Sequence, residues 1–154
     1  MPENPSFITL VRPENGDIPL SKYFYTDENG CPKSEPYPLV KTFRWWREPV
    51  TSIHNLHELV RRYYQDRGVA MLFGVPAEGT PNPTTRQKAH FPEPTQGRQV
   101  IAFDIDGMPL PEGVRPCSLE ALEYARSQLP VAFRRASFVA QWSNSAGVHK
   151  PDGT

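Results

Sequence analysis

At 154 residues the chain is long enough for a real hydrophobic core but small for a complete α/β enzyme. Its seventeen Lys and Arg balance seventeen Asp and Glu, so net charge gives no overall pull toward nucleic acid, and any polyanion site must come from local clustering. No apolar run approaches the length of a membrane span and the polar, proline-containing N-terminus is not a secretion signal, which predicts a soluble, cytoplasmic chain.

Eighteen prolines and plentiful aromatics imply short elements joined by many loops. Cys31 and Cys117 are isolated, lack metal-ligand spacing and read as free thiols rather than a disulfide. Phe7–Val11 is a β-prone run closed by Pro13-Glu14-Asn15-Gly16, an Asn-Gly turn signal. Leu20–Thr26 holds three aromatics and stops at a second such turn, Asp27-Glu28-Asn29-Gly30. Leu39–Trp46 alternates apolar with polar residues, so residues 1–50 are expected to form a three-stranded β-meander. Within it, Phe43-Arg44-Trp45-Trp46-Arg47 mixes cations with aromatics, as grooves for single-stranded nucleic acid do. Alternation of core-facing and solvent-facing positions along a strand accounts for that composition almost as well.

Residues 51–154 read as the α/β part of the same single domain. Asn55 and Glu58 have the spacing of a capping box, with Asn55 as N-cap, and Leu56, Leu59, Val60, Tyr63 and Tyr64 recur at helical spacing before Gly68. His54 and His57 lie at the start of that helix, are badly spaced as a ligand pair and read as solvated. A compact strand is expected over Val69–Phe73. From Val75 to Arg98 periodicity dissolves among five prolines, predicting a long irregular loop, functional or mobile, made modestly basic by Arg86, Lys88, His90 and Arg98.

The sharpest signal follows. Val100-Ile101-Ala102-Phe103 leads into Asp104-Ile105-Asp106-Gly107, the pattern of a buried strand ending at a carboxylate pair. Residues i and i+2 of a strand share a face, so Asp104 and Asp106 would project side by side. Such a pair calls for a compensating cation, and Mg²⁺ or Mn²⁺ suits carboxylate oxygens. The plainer reading is that acids end strands because loops begin there.

Ser118 is expected to cap a helix whose Leu122, Ala125 and Leu129 face one side and which Pro130 ends. Arg134 and Arg135 read as a solvated face near its end. A last strand is expected over Ser137–Trp142, leading into Ser143-Asn144-Ser145-Ala146-Gly147. The hydroxyls and backbone N–H groups of that turn suit a phosphate, although an ordinary polar turn has the same composition. His149 follows in a turn-like tail. With no internal repeat, the order of elements predicts an α+β fold with helices on one face of the sheet.

Together these segments resemble the opening of an archaeo-eukaryotic-type primase domain, in the divergent primase-helicase branch of phages and mobile elements. The likeness lies in Leu20-Ser21-Lys22-Tyr23-Phe24 with Asp27-Glu28-Asn29-Gly30, in Val100–Gly107, and in Ser137–Gly147. It implies a mixed or antiparallel primase-like sheet with helices packed on it. It also implies a DNA primase or primase-polymerase activity in which Asp104 and Asp106 hold two Mg²⁺ or Mn²⁺ ions. Ser143, Ser145 and His149 would face the nucleoside triphosphate, a single-stranded DNA would be the template, and a helicase would act in the same or a neighbouring polypeptide. The family's third motif, another strand ending in Asp, has no candidate before Thr154, since Asp152 lies in the tail. The chain is therefore expected to be the N-terminal portion of a catalytic core.

Two other readings stand beside it. A haloacid-dehalogenase-like phosphatase also carries Asp-x-Asp-Gly at a strand end, its first Asp attacking phosphorus and its second acting as acid/base. There the motif normally opens the domain, and Gly107 would not be followed by Met108-Pro109. A non-enzymatic nucleic-acid-binding module, with structural acids, is the third.

Overall fold

The computed structural model describes residues 6–16, 18–72, 74–93, 100–105 and 107–142. The architecture is mixed α+β, with an antiparallel sheet and two α-helices. In chain order the elements are β1 (Ser6–Pro13), β2 (Tyr23–Thr26), β3 (Pro32–Glu35), β4 (Thr42–Val50), α1 (Ile53–Tyr63), β5 (Ala70–Leu72), β6 (Thr84–Thr85) and α2 (Leu119–Gln128). They fall into two compact units, Met1–Lys22 with Pro36–Ala102, and Tyr23–Glu35 with Phe103–Thr154.

The first unit is built on a four-stranded sheet in the order β5-β1-β4-β6, all of its pairings antiparallel. Thr9, Leu10 and Val11 of β1 are all buried, as a central strand covered on both faces requires. Cross-strand partners share a face. On one face Val11 opposes Trp45 and Pro13 opposes Phe43, and Val11, Phe43 and Phe91 form a core joined by Leu20, Val40, Ala70 and Leu72. On the other face Leu10 opposes Trp46, and α1 packs there through the Tyr63 ring against Trp46.

A sequential meander over residues 1–50 is not what forms. β1 pairs directly with β4, and β2 pairs with β3 in a separate two-stranded sheet. The doubly buried run of β1 needs partners on both edges, which β4 and β5 supply, while Tyr23, Tyr25 and Thr26 of the exposed β2 require no such cover. Both turns form as their sequences imply, with Gly16 and Gly30 in the left-handed region at φ +92° and +79°.

The described part of the stretch after β5, residues 74–93, is not a loosely held loop; Arg98 lies outside the described residues. Phe91 is buried in the core, Thr84 is buried in β6, and Val75 and Ala77 donate backbone hydrogen bonds to Pro92 and His90. Asn82 mimics a ladder partner: its Oδ1 accepts from the Trp45 N–H at 3.1 Å and its Nδ2 donates to the Trp45 carbonyl at 2.8 Å. Proline removes periodicity here without removing packing.

Helix α1 begins earlier than the Asn55 capping pattern implies. Ser52 is the N-cap, its Oγ accepting from Asn55 N–H at 3.1 Å, while Asn55 Oδ1 accepts from Thr51 N–H at 3.1 Å. Asn55 thus reaches back one residue beyond the N-cap, to Thr51, where Glu or Gln of a capping box would accept from the N-cap N–H itself. In the second unit Ser118 caps α2 as expected, accepting from Ala121 N–H, and Ala121 and Ala125 are its buried residues.

Two expected strands do not form among the described residues. Residues 100–105 have no ladder partner, with Ile101, Phe103 and Ile105 at 55%, 44% and 45% exposure. Residues 137–142 are likewise outside any strand, with Phe138 and Trp142 exposed. A strand exists only through its neighbour's hydrogen bonds, and an apolar run cannot supply that neighbour.

Candidate functional site

Asp104 lies in the second unit, after Phe103, whose ring meets Phe133 edge-on at a centroid distance of 5.1 Å. Its carboxylate is exposed, and no ion pair or hydrogen bond engages it among the described residues. Gly107 follows in the left-handed region at φ +61°, a conformation that lets the chain turn away after the acids. Asp106, Ser143, Ser145 and His149 lie outside the described residues. Among the described residues, no three His, Cys, Asp or Glu side chains gather in a way that holds a metal ion. The donor chemistry of Asp104 itself fits a hard divalent cation: an exposed carboxylate not already committed to a Lys or Arg.

The three described histidines have structural or solvated settings. His54 and His57 are exposed on α1, His57 standing 3.9 Å from Glu58 of the same helix. His90 Nδ1 lies 2.7 Å from Thr84 Oγ1 and 3.0 Å from the Thr85 carbonyl, fastening β6 to the segment that returns Phe91 to the core. Of the residues that make this segment modestly basic, His90 is thus engaged by the fold.

The mixed cation-aromatic segment of β4 is divided by the pleat. Phe43 and Trp45 face the Phe91 core, and Trp45 Nε1 donates to the Pro81 carbonyl at 2.9 Å. Arg44 and Trp46 project from the opposite face. There Arg44 stands directly across from Arg12, and Arg12 is held by Asp66 at 2.6 Å. Trp46 meets Tyr63 at 6.0 Å between ring centroids, and Arg62 lies 6.0 Å from the Tyr63 ring. Glu48 Oε1 accepts from both Trp46 Nε1 and Tyr63 Oη, at 3.3 and 3.2 Å. The run of residues in β4 signalled Arg44 and Trp46 of this cluster. Arg12 gave no signal, because only the β1–β4 register sets it opposite Arg44.

No protein-family model, curated protein or solved structure matches the chain. No helix among the described residues is long and apolar enough to cross a membrane.

Proposed function

We propose that this chain carries the metal-binding part of a DNA primase or primase-polymerase, acting in the cytoplasm on a single-stranded DNA template during replication of a phage or mobile element. The observation that carries the reading is Asp104-Ile105-Asp106-Gly107 itself, with the Asp104 carboxylate exposed and uncommitted and Gly107 turning the chain at φ +61°. Asp104 and Asp106 hold Mg²⁺ or Mn²⁺, and Ser143, Ser145 and His149 bind the triphosphate. When bound, the metals supply activation of the attacking 3′-hydroxyl and charge stabilisation at the leaving pyrophosphate. The protein's own part is to keep the Asp104 carboxylate in solvent, two residues from Asp106 in sequence, with no cation among the described residues competing for it.

The phosphatase alternative needs its motif at the opening of a domain, whereas β2 and β3 precede it within its own unit, and Gly107 is followed by Met108-Pro109. A cation bound at ten times its Kd stabilises the folded chain by about 1.4 kcal/mol, a rise in melting temperature of about 3–6 °C. Mn²⁺ should produce that rise in the natural chain and none in the Asp104→Ala/Asp106→Ala double variant. An equal response in both removes the metal assignment. Turnover of a chromogenic phosphate ester, lost in Asp104→Ala, would replace the primase reading with the phosphatase.

A further inference from the structure

The charge of the chain is unevenly divided although its total is zero. The first unit carries eleven Lys and Arg against eight Asp and Glu, and the second carries six against nine. We infer that the first unit binds single-stranded nucleic acid on the sheet face bearing Arg12, Arg44, Trp46, Tyr63 and Arg62.

Four observations carry this. Arg12 and Arg44 are directly opposed across the β1–β4 ladder, a like-charge arrangement that weakens a sheet. Asp66 relieves only one of them: it binds Arg12, while Arg44 is exposed and has neither ion pair nor hydrogen bond among the described residues. The cations are interleaved with half-buried aromatic rings, Trp46 beside Arg44 on the strand and Tyr63 beside Arg62 on α1. The nearby acid Glu48 is turned onto the Trp46 and Tyr63 polar atoms, which fixes both rings.

Fixed rings flanked by cations suit a strand whose bases are unpaired, since bases stack on aromatics while guanidinium groups meet the backbone phosphates. A duplex keeps its base faces stacked inside and offers the rings nothing. The inference deepens the proposed function by giving the template strand a surface, and rests on that reading only for calling the strand a template.

Fluorescence anisotropy of a labelled oligothymidine with the full chain, in EDTA and across a salt series, tests it. Binding should weaken as salt rises. Arg44→Ala should lower the magnitude of the log–log salt slope by about 0.7 and weaken affinity about fivefold at 0.1 M salt, the share of one phosphate contact. Arg62→Ala should behave similarly. Arg135→Ala, which removes the same charge from the second unit, should leave both quantities unchanged. No binding, tighter binding of a duplex, or equal losses in Arg44→Ala and Arg135→Ala would overturn the surface. Because EDTA removes divalent ions, failure here leaves the Mn²⁺ response of Asp104 and Asp106 untouched, and the reverse holds.

Discussion

Gly74 shows how tightly the segment after β5 is held. A Cβ at this position would collide with the Phe91 carbonyl oxygen and come within 2.6 Å of the Phe91 Cβ and 2.8 Å of its carbonyl carbon. The Gly74 carbonyl also accepts from Thr9 Oγ1 at 2.9 Å, so the backbone cannot retreat freely. Gly74→Ala should therefore destabilise by about 1–3 kcal/mol, read as a lower denaturant midpoint at unchanged slope. A change under a few tenths would show that the Phe91 segment yields. At Asp27 a different force acts. The Cys31 N–H donates to its Oδ1 at 2.9 Å, as does the Asn29 N–H, and Lys33 lies 3.7 Å from Oδ2, all of which hold the carboxyl below its ordinary pKa. A depressed folded-state pKa gives support that is present above the unfolded value and is lost as pH falls through the folded one. The Cys31 and Asn29 amides should thus lose hydrogen-exchange protection at the acid end only, and Asp27→Ala should abolish that pH dependence. Protection that stays constant with pH in the natural chain would contradict the assignment.

Elements that depend on local chemistry were the legible ones. The α2 cap at Ser118, the turns ending at Gly16 and Gly30, and the helical spacing of Leu59 and Tyr63 are all set by residues within one or two turns of each other. Even so, α1 is capped at Ser52, whose Oγ accepts from Asn55 N–H while Asn55 Oδ1 accepts from Thr51 N–H, and the Asn55–Glu58 spacing does not point to that arrangement. Ser118→Ala and Ser52→Ala should each cost about 1 kcal/mol, measured by thermal or denaturant unfolding. What the sequence left illegible was pairing. Val100–Phe103 and Ser137–Trp142 have strand-like composition, yet nothing in those residues says which backbone will lie beside them. The β1–β4 partnership had the same invisibility in reverse, since 28 residues separate two strands that need each other. Phe91 supplied no periodic signal, being a single aromatic among prolines, yet it completes the core of the first unit. For the site, the sequence marked Asp104 with Asp106, and the structure adds that Asp104 stands in solvent without a cation partner among the described residues, before a left-handed Gly107.

At the scale of the whole molecule, the proposed function divides two tasks between the basic and the acidic unit. Holding a nucleic-acid strand calls for cations and rings, and holding divalent metal calls for carboxylates. Arg12, Arg44 and Arg62 lie in the first unit and Asp104 with Asp106 in the second, so a substitution in one set should leave the other's measured property intact. The central claim is that these properties serve template-directed nucleotidyl transfer. It is tested most directly by incorporation of labelled nucleotide on a single-stranded DNA template, with Mg²⁺ or Mn²⁺, by the full natural polypeptide that carries this chain. The expected result is metal-dependent product that follows the template sequence and disappears in Asp104→Ala while oligothymidine binding persists. Undiminished synthesis by Asp104→Ala, or no template-dependent product under either metal, would contradict it.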